Sequence, residues 1–169
     1  MAYRSEALDP ARHELGTLNS GEPEFDLWLR EHAAGAEARR VARTFVWVAA
    51  DGDPYQVLGY YSLTGHRLVR DVLPKSIGRG SPAEIPAVLL ARLALDQAHH
   101  GAGAGGALLA DALGRIVVAT QTVAARFVVV DALHERAATF YEQYGFRRIP
   151  GTLRLVQKLS DIAAAIDLQ

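Results

Sequence analysis

Apolar positions along the chain change their spacing several times, and each change predicts an element. Residues 3–8 read as a short first strand, followed by breaks at Pro10 and Gly16. Phe25, Trp28, Leu29, His32, Ala33 and Ala36 recur at i, i+3, i+4 and i+7 spacing, which predicts a helix opening near Pro23. On that face Trp28 reads as core and His32 as a half-buried histidine. Thr44–Ala50 and Tyr55–Thr64 are rich in β-branched and aromatic residues and flank the turn Asp51–Pro54, so they predict a hairpin. Gly65–Pro86 carries several glycines and prolines and reads as a long connection. Ala87–Leu95 predicts a buried strand interrupted by Arg92. Leu108, Leu109, Ala112, Leu113, Ile116, Val117, Thr120 and Val123 predict a helix running to about Ala124. The unbroken apolar run Arg126–Asp131 suits the centre of a sheet. A helix over His134–Tyr144 ends at Gly145, two strand-like stretches follow (Phe146–Ile149 and Thr152–Leu159), and Asp161–Leu168 reads as a short amphipathic tail helix. The order predicts an α/β (α+β) fold, a mixed and mostly antiparallel sheet with helices on both faces.

The densest chemical signal lies between the strand ending at Leu95 and the helix carrying Leu108. Gly101, Gly103, Gly105 and Gly106 fall within one short stretch, His100-Gly-Ala-Gly-Ala-Gly-Gly106. Glycine permits close backbone approach and φ > 0, and the N–H groups of a helix start lack intrahelical partners, so the pattern suits an anion such as phosphate. A plain turn satisfies the same spacing. No Gly-Lys-Ser/Thr follows, and no strand with a terminal acid stands about 20 residues on, which excludes the usual P-loop and dinucleotide patterns.

Composition narrows the classes. A chain of 169 residues is expected to form one domain over 1–169. Cysteine is absent, which rules out disulfides, thiolate metal sites and a cysteine nucleophile, and no metal is expected. The N-terminal residues lack a signal-peptide core and no apolar run is long enough to span a membrane, so the expectation is a cytoplasmic protein without membrane contact. The net charge of −1 argues against bulk electrostatic binding of nucleic acid. Arg39, Arg40 and Arg43 nevertheless cluster, as do Arg147, Arg148, Arg154 and Lys158; each group is either a local polyanion contact or a solvated face.

The glycine loop, together with a later helix, resembles the GCN5-related N-acetyltransferase (GNAT) family. The family's loop, Gln/Arg-x-x-Gly-x-Gly/Ala, corresponds to His100-Gly101-Ala102-Gly103-Ala104-Gly105. Its later helix corresponds to Ala137 and Thr139-Phe140-Tyr141-Glu142-Gln143-Tyr144-Gly145-Phe146, with His134 in an Asn slot. Phe25-Asp-Leu-Trp-Leu29, Ala42-Arg-Thr-Phe-Val46, Gly59-Tyr-Tyr-Ser-Leu63 and Ile85–Asp96 resemble a narrower branch, the acetyltransferase toxins of type II toxin–antitoxin modules. His100 and Ala102 depart from the loop pattern, since neither supplies the cationic or amide side chain usual in those slots.

That resemblance implies an N-acetyltransferase using acetyl-CoA, acting on the α-amine of aminoacyl-tRNA and blocking translation. It implies a homodimer held in check by a ribbon-helix-helix antitoxin, with DNA met only through that antitoxin. Backbone groups of Leu93, Ala94 and Leu95 would meet the pantetheine and thioester, residues 100–106 the pyrophosphate, and His134 and Phe140 the cofactor. Tyr141 would act as general acid toward the leaving thiolate. Its phenol, near 10, is a weaker acid than a thiol near 8.5, so the transfer needs local tuning. Read as residues alone, Tyr141 also fits a core tyrosine, Phe140 and Tyr144 read as core, and His134 fits a helix cap.

Asp96, Asp131, Glu135 and Glu142 read as structural or exposed, leaving no general base. That absence favours an α-amine, near 7.7–8.0, over a lysine amine near 10.4. Arg39, Arg40, Arg43, Arg70, Lys75, Arg79 and Arg92 are candidate tRNA contacts, Arg92 fitting equally a structural ion pair. A non-toxic acetyltransferase for small or protein amines, and a non-catalytic acetyl-CoA-binding module, are the alternative functions.

Overall fold

The computed structural model describes residues 2–167. In chain order the elements are β1 (Tyr3–Ala7), α1 (Pro23–Glu31), α2 (Ala33–Ala38), β2 (Arg43–Ala49), β3 (Gly59–Val69), α3 (Lys75–Gly78), β4 (Glu84–Leu95), α4 (Ala104–Ala119), β5 (Phe127–Asp131), α5 (Glu135–Gln143), β6 (Arg147–Arg148), β7 (Arg154–Lys158) and α6 (Leu159–Asp167), with 3₁₀ turns at Arg70–Val72 and Gln97–His99. The strands form one seven-stranded sheet in the order β1-β2-β3-β4-β5-β7-β6. The chain divides into two compact units, residues 1–64 with 91–112 and residues 65–90 with 113–169. No helix among the described residues is long and apolar enough to cross a membrane.

In the first unit β1, β2 and β3 are antiparallel, with Tyr3 opposite Ala49, Ala7 opposite Phe45, and Trp47 opposite Gly59. The period-3.6 face of α1 and α2 delivers Leu29 and Ala33 onto Val46, Val48, Tyr60 and Ala94, with Phe25 and Trp28 packed against the same cluster. Burying Leu29 contributes about 1.5–3 kcal/mol. Gly59 is required here by close approach: a Cβ at this position would stand 3.0 Å from the Ala94 carbonyl oxygen and 3.2 Å from Leu95 Cδ1.

In the second unit β5 lies between parallel β4 and antiparallel β7; Ala87 is opposite Phe127 and Asp131 opposite Arg154. Leu68, Ile77, Ile85, Phe127, Val129 and Val156 share its core. All four residues of Phe127–Val130 are fully buried, which explains the unbroken apolar run.

Several elements differ from the sequence reading. β3 starts at Gly59 rather than Tyr55 and continues to Val69, so Gly65 and the polar His66 and Arg67 belong to a strand with one accessible face and not to a connection. β4 likewise begins at Glu84, ahead of Pro86, and carries Arg92 without interruption. The early helix breaks at His32, whose φ of −123° leaves the helical region, and His32 is exposed rather than half-buried. α4 stops at Ala119: the Thr120 hydroxyl donates back to the Ile116 carbonyl at 2.8 Å, and Val123 is 73% exposed. Tyr144, read as core, is 43% exposed. The tail helix starts at Leu159; its expected last residue, Leu168, lies outside the described residues.

Candidate active site

The glycine loop is prepared by the turn that precedes it. Asp96 ends β4 and accepts from Ala98 N at 2.9 Å and Asn19 N at 3.1 Å. His99 Nδ1 meets the Tyr3 hydroxyl at 2.8 Å, and Tyr3 stacks on Trp47 with ring centres 4.4 Å apart. His100 Nε2 bonds the Leu95 carbonyl oxygen at 2.7 Å, so its imidazole turns toward the strand end. Gly101, Ala102 and Gly103 then adopt three successive left-handed conformations, φ +85°, +54° and +78°. Ala102 in this region is strained in a way the flanking glycines are not. Ala104 N bonds the Gly101 carbonyl and Ala107 N the Gly103 carbonyl; the N–H groups of Gly101, Ala102, Gly103, Gly105 and Gly106 find no acceptor among the described residues. Nothing lies within 4 Å of where a Cβ would stand at Gly101 or Gly103. A row of unpaired donors in open space at the start of α4 fits a pyrophosphate. Leu93, Ala94 and Leu95, on the same unit, lie within the last four residues of β4.

Arg92 occupies an unusual position. Its guanidinium carbon lies 3.8 Å from the centre of the Trp28 ring, and Trp28 stacks on Tyr60 with centroids 6.1 Å apart and planes at 9°. Partial burial pulls the Arg92 pKa down, while Tyr60 and Glu24 act to raise it. It is half-buried and makes no ion pair among the described residues. Arg39 and Arg40 are exposed at the end of α2, Arg40 with φ +60°. Arg43 is committed to Glu37 at 2.8 Å, and the Thr44 N–H donates to the other Glu37 oxygen. Arg70 donates to the Ser81 carbonyl, Lys75 opens α3, and Arg79 is exposed.

In the second unit, α5 presents Tyr141. Its ring is 8% exposed and meets Phe140 and Phe146 edge-on, at 5.2 and 5.6 Å between centroids. The hydroxyl makes no hydrogen bond among the described residues and is not among their sealed-off polar atoms. Burial pushes the phenol's pKa up, opposite to the tuning an easy transfer would need, and keeps the proton on oxygen at neutral pH. Phe140 is half-buried and touches both Tyr141 and Tyr144. His134 caps α5, its Nδ1 accepting from Ala137 N at 3.2 Å. The carboxylates are committed to ion pairs that the sequence reading, which takes them as a strand end and exposed charges, does not specify: Asp131 takes a bidentate pair with Arg154 at 2.7 and 2.8 Å, and Glu135 and Glu142 both bind Arg148. Sequence reasoning missed His66. Its Nε2 lies 3.1 Å from Arg154, and burial together with the Arg154 charge pulls its pKa down. No local pattern marks it, because its partner is 88 positions away.

Residues 42–148 match the acetyltransferase (GNAT) domain. The "tRNA-acetylating toxin" of Mycobacterium tuberculosis is 34% identical over 154 residues, covering 90% of each chain. The structure titled "AtaT complexed with acetyl-methionyl-tRNAfMet" has a TM-score of 0.88 at 30% identity, covering 98% of this chain and 99% of that one. A tyrosine-to-phenylalanine mutant of the AtaT toxin, bound to the C-terminus of the antitoxin AtaR and acetyl-CoA, has a TM-score of 0.81 at 28% identity, covering 97% and 98%. The protein is an N-acetyltransferase of the GNAT fold, and it belongs to that family.

Proposed function

We propose that this chain is a toxin that transfers the acetyl group of acetyl-CoA to the α-amine of aminoacyl-tRNA and thereby blocks translation. The observation that carries the proposal is the row of unpaired N–H donors at Gly101, Ala102, Gly103, Gly105 and Gly106, combined with a Tyr141 phenol that has no hydrogen-bond partner among the described residues. Similarity to toxins whose names and titles record tRNA acetylation supports the substrate. When bound, acetyl-CoA supplies an activated acetyl thioester. Residues 101–106 hold its pyrophosphate through backbone donors, and His100 stiffens the loop by holding Leu95. Backbone groups of Leu93 and Ala94 orient the acyl end, where an N–H donor stabilises charge that develops on the carbonyl oxygen. Tyr141 keeps its proton until the thiolate leaves and then delivers it to sulfur. His134 secures the start of the helix that carries Tyr141, and Phe140 packs against the tyrosine and offers an apolar edge to the cofactor.

Arg39, Arg40 and Arg79 are exposed, have no ion pair among the described residues and can track tRNA phosphates, while Arg43 contributes less because Glu37 neutralises it. The reading extends to a single catalytic domain over 1–169 and a cytoplasmic homodimer. It extends further to an antitoxin of the ribbon-helix-helix type that alone meets the operator DNA; a structural neighbour is bound to the C-terminus of its antitoxin, which supports an antitoxin partner and not its type. A cell-free translation reaction tests the proposal. Added protein with acetyl-CoA stops synthesis, and the Tyr141→Phe variant does not. Undiminished translation at full acetyl-CoA occupancy rejects it.

A further inference from the structure

Taking a cation out of water is unfavourable unless something pairs with it. Arg92 is half-buried with no carboxylate in ion-pair contact and no hydrogen bond to the protein among the described residues. Among the described residues, no group facing it makes ion-pair contact. Trp28 supplies only its ring face. The phenol of Tyr60 is kept protonated by burial, against the pull of Arg92, and its hydroxyl donates to the Phe25 carbonyl at 2.7 Å. Asp26 accepts from the Ser20 hydroxyl at 2.6 Å. Glu24 is exposed and acts only through space. The stack on Trp28 fixes where this positive charge sits, and Trp28 packs against the cluster containing Ala94, two residues further along β4. Two residues of strand span about 7 Å. The unpaired charge therefore stands beside the strand end where, on the reading above, the acetyl group is held.

That reading leaves a gap: the attacking amine must be neutral, and Asp96, Asp131, Glu135 and Glu142 are all committed elsewhere. We propose that the unpaired Arg92 guanidinium disfavours the ammonium form of the attacking α-amine, replacing a general base by like-charge repulsion. The inference rests on the proposed function. The ammonium loses one proton to solvent on entering the site. The nitrogen lone pair forms the N–C bond as the C–S bond breaks, the thiolate takes the Tyr141 proton, and the proton released by the new amide nitrogen restores Tyr141 through solvent. A fixed cation about 8 Å away at an effective dielectric near 20 lowers an ammonium pKa by about one to two units.

The test is the pH dependence of acetyl transfer to aminoacyl-tRNA, measured for the full chain. The kcat profile reports groups in the complex, and kcat/KM those of the free species. Arg92→Gln is expected to move the rising limb of kcat up by about one to two units and leave the amine-dependent limb of kcat/KM in place, with Arg92→Lys restoring the wild-type limb. Glu24→Gln, an exposed change that threatens no packing, is expected to move the kcat limb the other way. Two results overturn the inference: an equal loss of kcat at every pH in Arg92→Gln, or an unchanged kcat with a raised, salt-dependent KM for tRNA, which makes Arg92 a phosphate contact. An unmoved limb in Glu24→Gln counts against it even where Arg92→Gln fails to fold. If the wild-type chain itself transfers nothing to aminoacyl-tRNA, it is the proposed function that fails.

Discussion

Replacing Tyr141 by phenylalanine removes one oxygen and nothing else the structure uses. The ring keeps its edge contacts with Phe140 and Phe146, and no hydrogen bond is lost among the described residues because the hydroxyl makes none there. The folding cost is therefore expected within about 0.5 kcal/mol, and the midpoint of thermal unfolding stays within a few degrees. The catalytic cost is of another order. Loss of a positioned general acid lowers the rate by about 10²–10⁴-fold, or about 3–5.5 kcal/mol of barrier. Single-turnover acetyl transfer, with acetyl-CoA affinity measured in parallel by calorimetry, separates the two. The expectation is a slow step after unchanged binding. Because burial raises the tyrosine pKa, the wild-type rate shows no decline from its ionisation below about pH 10, and any stability linked to keeping this phenol protonated is lost only as pH rises beyond that value. A variant that keeps a third or more of wild-type kcat refutes the acid assignment. A loss that appears in the thermal midpoint or in cofactor affinity refutes the claim that the hydroxyl acts only on the reaction.

Three further outcomes follow from the geometry. Gly59→Ala presses a methyl group onto backbone at Ala94, 3.0 Å away, and is expected to destabilise the protein by about 1–3 kcal/mol in chemical unfolding. His134→Ala leaves the Ala137 N–H without its cap and is expected to cost about 1 kcal/mol, with kcat falling far less than in Tyr141→Phe. Removing Arg39 and Arg40 together is expected to weaken tRNA binding and flatten its dependence on salt, whereas Arg43→Gln changes that slope less because Glu37 already neutralises the charge.

Much of the fold was legible because its signals are local. The period of Leu108, Leu109, Ala112 and Ile116 reports a helix face that is buried, and Gly145 stops α5 in the left-handed conformation expected, φ +93°. The boundaries that differ from the sequence pattern depend on tertiary context. β3 runs on through Gly65, His66 and Arg67 because a strand needs only one buried face, a condition that composition does not announce. Val123 continues the helical period, yet the helix has already ended, so the match in spacing is coincidental. The glycine loop was visible as a motif, but the three left-handed residues and the turn of His100 toward Leu95 were not, since both depend on how residues 96–100 are held. From sequence, Arg92 reads as a tRNA contact or a structural ion pair. Its stack on Trp28 joins positions 64 apart, beyond the reach of any local pattern.

The most direct test of the account is transfer from labelled acetyl-CoA into a total aminoacyl-tRNA pool by the purified chain. The account predicts label on the α-amine of the aminoacyl group, released with the amino acid when the ester is hydrolysed and absent with Tyr141→Phe. Bound acetyl-CoA with no label on any aminoacyl-tRNA would contradict it.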